Sequence, residues 1–165
     1  MVIRDFEDGD VAPACTLTNH YIEHTPVHFG LHPYTAEEFR EMWHAGREKY
    51  PWLAAAIDGR FAGYAKAGRW REREAYQFTA EAGLYVESAF HGRGVGKALY
   101  AELFKRLAKA GFHTAVAGIT LPNEASVRLH EAMGFTKVGV FREVGRKMDA
   151  WHDTGWWQRM LEPAS

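Results

Sequence analysis

The stretch from Glu81 to Gly111, EAGLYVESAFHGRGVGKALYAELFKRLAKAG, constrains this chain more than any other. It predicts a strand, a loop with glycines at 92, 94 and 96, and then a helix. In that helix Leu99, Leu103 and Leu107 recur every four residues beside Tyr100 and Phe104, so one face is apolar. Gly111 stands where helices commonly stop. A glycine loop opening into a helix presents successive unpartnered backbone N–H groups at the positive end of the helix dipole. Such a surface binds phosphate. Lys97 adds positive charge in the first turn, where a helix by itself favours acidic residues, and so points to an anionic ligand. The expectation is a diphosphate cradle. The alternative is a tight strand-to-helix turn that holds nothing.

Spacing separates the nucleotide motifs. A dinucleotide fingerprint needs glycine at its first, third and sixth positions, and the sixth position from Gly92 is Lys97. A P-loop needs four residues between its first glycine and Gly-Lys, then Ser or Thr. Here only Arg93, Gly94 and Val95 intervene, and Ala98 follows Lys97.

A chain of 165 residues can bury one sizeable core, and residues 1–165 are expected to form a single domain. Hydrophobic residues at 47% and aromatics at 14% exclude a disordered chain. A net charge of −1 gives no reason to expect nucleic acid or an acidic membrane surface as partner. With Cys15 as the only cysteine there is no intrachain disulfide, and a cytoplasmic setting is the expectation. No signal peptide is read at the start, and no apolar run approaches the ~20 residues of a membrane span.

The pattern predicts a first strand over 2–6 and a helix from Asp10 to Glu23, ending before Pro26. Thr35 to Glu38 is a capping box opening a second helix whose apolar face carries Phe39, Met42 and Trp43. WLAAAI (52–57) and RFAGYAKA (60–67), joined by Asp58-Gly59, read as a hairpin. A polar connection over 68–74 leads to a long strand at 75–87. After the central helix come a strand at 113–119, a helix at 123–133, a strand at 135–141 and a last strand near 154–161. The order β-α-α-β-β-β-α-β-α-β-β implies an α/β (α+β) chain with a central mixed, mostly antiparallel sheet and helices on both faces.

The helix after Pro122 carries NEASVRLHEAMGF. Asn123, Ser126 and His130 fall on one face of it, and Ala125, Leu129, Ala132 and Met133 on another, expected to be buried. Ordinary amphipathicity explains such a pattern as well as a site does.

Two motifs together carry a resemblance. His91-Gly-Arg-Gly-Val-Gly96 resembles the pyrophosphate loop of the GNAT acetyltransferases, Gln/Arg-x-x-Gly-x-Gly/Ala, with His91 in place of Gln or Arg. Asn123, Ser126, His130 and the following Gly134-Phe135 resemble that family's second acetyl-CoA motif. NHYIE (19–23), YPWL (50–53), AY (75–76), TAE (79–81), LPN (121–123), SVR (126–128) and WHD (151–153) look like its phosphinothricin N-acetyltransferase branch, over about Val2 to Leu161. The resemblance implies the GNAT fold, acetyl-CoA as co-substrate without a metal, and a homodimer. It also implies a small amino-acid substrate, such as phosphinothricin or methionine sulfoximine or sulfone, acetylated on its α-amine. It places Leu84, Tyr85, Val86, His91, Gly92, Arg93, Gly94, Val95, Gly96 and Lys97 against acetyl-CoA. Asn123 and Ser126 then lie near the pantetheine arm, and His130 near the sulfur.

Amide formation needs a neutral amine, and an α-ammonium must first lose a proton. Glu81, through TAE, matches the branch's general base; by itself it would read as a salt-bridged surface carboxylate. By strand alternation it shares a face with Thr79, Gly83 and Tyr85. A backbone N–H between Gly83 and Val86 can stabilise the carbonyl oxygen, and Gly83 is expected to allow a bulge that frees it. His130 is expected to protonate the departing thiolate, although its role and that of Glu81 can be exchanged. Arg73 and Tyr76 match residues that line the branch's amino-acid site, Arg71 stands where some relatives have Lys, and Phe29 is expected to wall the pocket within a stretch, HFGLHPYT, that departs from those relatives. Cys15 has no neighbouring base and reads as a buried, inert thiol. His20, His24, His28 and His32 recur every fourth residue, but Pro26 interrupts the helix that would align them, so no metal is expected. The competing readings are an acetyltransferase for another small amine or a protein N-terminus, and a non-catalytic acyl-CoA-binding module.

Overall fold

The computed structural model describes residues 1–162. Seven strands form one sheet in the order β1-β2-β3-β4-β5-β7-β6. The strands are β1 (Val2–Asp5), β2 (Trp52–Ile57), β3 (Arg60–Arg69), β4 (Thr79–Val86), β5 (Thr114–Leu121), β6 (Thr136–Lys147) and β7 (Ala150–Met160). Between them run the helices α1 (Asp8–His24), α2 (Ala36–His44), α3 (Val95–Lys109) and α4 (Glu124–Ala132). Every strand pair is antiparallel except β4 with β5. The element order and the mixed sheet match the sequence reading.

Alternation along β2 builds a core on each face. Leu53, Ala55 and Ile57 point to the side where α3 packs Leu99, Leu103 and Leu107. Trp52 and Ala54, with Tyr64 of β3, point to the side covered by Val11 and Leu17 of α1 and Phe39 and Trp43 of α2. Sheet residues sandwiched this way read as nearly continuous apolar runs, which is why WLAAAI shows no alternation.

Boundaries shift where local chemistry or a missing partner strand decides them. Helix α1 starts at Asp8, earlier than read, because the Asp10 carboxylate accepts from Glu7 N–H at 2.9 Å while Asp10 N–H donates to the Glu7 carbonyl at 2.9 Å, closing the first turn. β4 starts at Thr79 and not at 75, since its pairing with β3 ends at Arg69↔Ala80. The preceding Glu74–Tyr76 forms a short 3-10 turn. β6 and β7 are longer than read because Met148 and Asp149 make a two-residue turn with φ of 52° and 56°. Neither is the Asn-Gly or Asp-Gly pair that announces such a turn.

Gly63 holds the centre of the sheet together. It sits where the β2–β3 register shifts, at φ +153°, and pairs with Val86. A Cβ there would lie 2.5 Å from the Tyr85 carbonyl oxygen. Gly63→Ala is expected to cost about 2–3 kcal/mol of stability. Urea unfolding should show a lowered midpoint with an unchanged slope.

Candidate active site

The parallel ladder between β4 and β5 is short. Thr79, Ala80 and Glu81 pair with Thr114, Ala115 and Val116, and there the pairing stops. β4 runs on to Val86 and β5 to Leu121, so beyond Glu81 the two strands part. The far side of β4 remains paired to β3 without interruption, from Arg69↔Ala80 to Gly63↔Val86. The bulge expected at Gly83 is therefore absent. Backbone groups of residues 82–86 that face β5 are freed by the divergence of two strands, not by an extra residue. Leu84 packs towards α3, while Tyr85 points the other way onto Tyr21 and Tyr64.

The glycine loop follows the open edge. Gly92 and Gly94 adopt φ of 73° and 79°, the left-handed region that favours glycine. Gly94 is the N-cap of α3 and offers no side-chain cap, whereas Thr35 and Asn123 cap α2 and α4. The bond from Ala98 N–H to the Gly94 carbonyl spans 3.0 Å, so the N–H groups of Val95, Gly96 and Lys97 precede it. A ring N–H of His91 donates to the Val86 carbonyl at 3.0 Å, tying the loop to the end of β4. Arg93 lies over the Phe90 ring at 5.4 Å, and Lys97 is exposed. Val95 is buried in the core. Gly96 has a packing role: a Cβ would stand 3.0 Å from Leu129, so its bareness lets α4 approach α3.

On α4 the two faces differ from the sequence reading. Ala125 and Ala132 are exposed, and His130, assigned to the polar stripe, is the buried residue of the helix. The Asn123 side-chain oxygen accepts from Ser126 N–H at 3.2 Å. His130 Nδ1 lies 2.7 Å from the Ser126 carbonyl, which only accepts, so Nδ1 carries the proton. In the neutral ring Nε2 then accepts from the Tyr100 hydroxyl at 2.8 Å. Burial lowers the His130 pKa and favours that neutral form, against the opposing pull of the Ser126 carbonyl. Both nitrogens are engaged, and Nε2 has no proton to give. The acid role expected of His130 has no support in this geometry.

On the α1/α2 face, next to where the strands part, lies a cavity of about 560 Å³. Its walls include His28, Trp52, Lys66, Arg69, Glu81 and Tyr85. Burial pushes the Glu81 carboxyl above its ordinary value, and the charge of Lys66 pulls it back in part. Lys66 shows the mirror effect: burial lowers its pKa and Glu81 raises it. The His28 ring is pushed down to about 4 by burial, reinforced by Lys66 and Lys147. Its Nδ1 accepts from Gly30 N–H at 2.9 Å. The loop carrying it is anchored across the sheet, through Lys147 Nζ to the His28 carbonyl at 2.6 Å and Thr120 Oγ1 to the Val27 carbonyl at 3.2 Å.

The substrate residues expected from sequence do not line this cavity. Arg71 stacks on Trp70 at 4.8 Å, and Tyr76 meets the same ring edge-on at 5.1 Å. Trp70 thus holds both on the exposed connection, where Arg73 also lies. Arg69 stands on the wall in their place. Phe29, 39% exposed, packs against Gly145 and His152 of the β6–β7 hairpin. His28 and Lys66 were missed as site residues. Their only signal was a charged residue in an apolar strand (YAKA) and one member of a discounted histidine series. Cys15 is buried, donates to the Tyr34 carbonyl, and has its pKa raised by burial. Among the described residues no three His, Cys, Asp or Glu side chains are grouped to hold a metal.

The sequence profile of the acetyltransferase (GNAT) family matches residues 16–135. The chain belongs to the GNAT acetyltransferase family. It is 43% identical over 160 residues to a phosphinothricin N-acetyltransferase of Streptomyces viridochromogenes, covering 97% of this chain and 87% of the other. It is 33% identical over 164 residues to an L-methionine sulfoximine/L-methionine sulfone acetyltransferase of Salmonella typhimurium, covering 98% and 95%. Among solved structures, a GNAT superfamily phosphinothricin acetyltransferase from Sinorhizobium meliloti in complex with AcCoA superposes with a TM-score of 0.93 at 28% identity. That superposition covers 99% of this chain and 93% of the other. The GNAT fold expected from sequence is the fold observed. No helix among the described residues is long and apolar enough to cross a membrane.

The low pKa of His28 has a consequence for stability. Its unfolded value is near 6.5 and its folded value about 4, so between them the unfolded chain binds the proton and the folded one does not. This contribution is intact above pH 6.5 and is lost as pH falls towards 4. The displacement corresponds to at most about 3 kcal/mol, reduced by solvent at a half-buried ring. His28→Asn keeps an acceptor for Gly30 without the titration. Unfolding free energies at pH 7.5 and 4.5 should differ by about 1–3 kcal/mol less in the variant than in the parent.

Proposed function

We propose that this GNAT protein transfers acetyl from acetyl-CoA to the α-amine of a small amino acid of the phosphinothricin or methionine sulfoximine kind, with Glu81 as general base. The observation that carries this reading is the position of Glu81. It is the last residue of the β4–β5 ladder, and its side chain lines the cavity beside the opening. The similarity to curated acetyltransferases over nearly the whole chain supports the activity and the substrate class.

The residues present fit acetyl-CoA. The uncapped N–H groups at Val95, Gly96 and Lys97, with the Lys97 charge, suit its diphosphate. The unpaired edge of β4 suits its amide-bearing arm, as do Asn123 and Ser126. When bound, acetyl-CoA supplies an acetyl thioester whose carbonyl carbon accepts the amine. Glu81 takes a proton from the ammonium, directly or through water. Its raised pKa brings it closer to the amine's in proton affinity than an exposed glutamate would be. Backbone N–H groups of the open edge of β4, which alternate with those bonded to β3, suit the negative charge that grows on oxygen. The nitrogen loses two protons in all. Glu81 receives the first, and the second is available to the departing sulfur. The balance closes without His130, which we assign to holding α4 against Tyr100. We assign the substrate's carboxylate to the arginines bordering the cavity, Arg69 on its lining, where it also pairs with Glu72 at 3.3 Å, and Arg71 and Arg73, with Tyr76, on the adjoining connection. A single catalytic domain in the cytoplasm, where acetyl-CoA is at hand, completes the reading.

Glu81→Gln should lower kcat by about 10²–10⁴ at neutral pH while acetyl-CoA binding is kept. The acid limb of the kcat/KM profile should disappear with it. Near-full activity would place the base elsewhere. Parent protein that binds acetyl-CoA but releases no thiol with any amine would favour a non-catalytic acyl-CoA-binding module.

A homodimer is part of the proposal. Edge strand β6 and its return β7 expose Val138, Phe141, Val144 and Trp151, at 65%, 58%, 55% and 60%. Apolar groups along an unpaired edge suit a second copy of the chain. Light scattering should give twice the chain mass, and Phe141→Glu with Trp151→Glu should return it to one.

A further inference from the structure

Lys66 is the charged group of the cavity that the transfer chemistry leaves without a task. It stands mid-strand on β3, its side chain lines the cavity, and among the described residues no carboxylate lies within 4.0 Å of its ammonium. Glu81 and His28 share the cavity with it, but the groups nearest its ammonium are aromatic or thioether. Nζ lies 5.0 Å from the centre of the Trp52 ring and 3.9 Å from the Met42 sulfur. An ammonium on such a wall gives up most of its hydration, and neither thioether nor indole face replaces that fully.

The sheet beneath it is bare. In the β3–β4 ladder Lys66 faces Gly83, and Glu81 faces Gly68. Two opposite charges thus occupy one diagonal of a four-residue square, and two glycines the other. A Cβ built on either glycine meets nothing within 4 Å. Diagonal neighbours of this kind are about 7–8 Å apart. That is a span for a short molecule laid across the glycines, its amine at one corner and an anion at the other.

Direction along the cavity is set by the strands. Glu81 is on β4 at the point where β5 departs, so the reacting amine belongs there. Lys66 is one strand further away, towards Trp52 of β2 and Met42 of α2. We propose that Lys66 holds an oxyanion on the substrate's side chain, making this enzyme selective for short α-amino acids with a distal phosphinate or carboxylate over those with a neutral tip. This rests on the amino-acid reading of the cavity. The α-carboxylate, next to the amine, stays at the Glu81 end of the cavity. Neutral His28 and Tyr85 add polar groups without competing charge.

The test uses reaction products, which lack a free amine and so read the anion sites without the chemistry. N-acetylphosphinothricin carries a distal anion; N-acetylmethionine sulfone does not. Their binding is measured by calorimetry in the parent, Lys66→Met and Lys66→Arg. Lys66→Met should weaken the phosphinate product by about 10-fold or more, equivalent to about 1.4 kcal/mol. The sulfone product should change less than about 3-fold on that scale, and Lys66→Arg should recover most of the loss. Comparing two ligands in one variant cancels any general damage to the fold. Equal losses for both products would make Lys66 a reader of the α-carboxylate or a structural residue, and would overturn the proposal. Unchanged binding of both would make it a counter-charge for Glu81 and overturn it too, as would a parent that does not bind the phosphinate product. Thiol release by the parent with each free amino acid is measured alongside. Its failure would remove the acetyl-transfer reading, while the binding data still decide the anion site.

Discussion

The site depends on where one ladder ends. Among the described residues β4 and β5 are the only parallel neighbours in the sheet, and they hold together for three residue pairs, closing at Glu81↔Val116. A pair kept zipped to Val86 would have satisfied the backbone of β4 on both sides and left no place for an extended ligand. The divergence is tolerable because β3 pairs β4 from Ala80 to Val86 and because α3 packs Leu99 and Leu103 beneath. One edge of β4 is stabilised strongly enough for the other to stay open.

The opening has a different chemistry on each face of the sheet. Below it, the first turn of α3 offers uncapped N–H groups and a lysine, a surface for anions in water. Above it, the cavity sets Glu81 and Lys66 against partial burial, which shifts each towards its neutral form while each opposes the shift in the other. A carboxylate with raised proton affinity is the kind of base that meets an ammonium at neutral pH. Burial supplies that affinity, and the lysine limits it.

Much of this was legible in the sequence, and the misses share a cause. The glycine loop, the Asp58-Gly59 hairpin, the Thr35 capping box and the element order follow local rules, and all are observed. Glu81, which lines the cavity, was singled out through a motif. His28 and Lys66 were not, because what brings them to Glu81 is strand register and a loop anchored by Lys147 and Thr120, far apart in the chain. His130 was misplaced for a related reason: helical spacing gives faces but not which face is covered, and Tyr100 and Ser126 claim both of its nitrogens. Arg73 followed motif position, while Trp70 turns that connection outward.

Gly68 and Gly83 leave the enzyme an unusual freedom to change. Most residues around a binding cavity serve two masters, shaping it and holding the fold, so altering one disturbs the other. These two have no positive φ and no atom standing where a Cβ would go. A methyl or hydroxymethyl group could be added at either corner without moving a strand or touching a charge. Selectivity can therefore drift in small steps of volume, at positions where the fold raises no objection. Closely related chains could come to differ in the shape of this cavity while keeping one architecture.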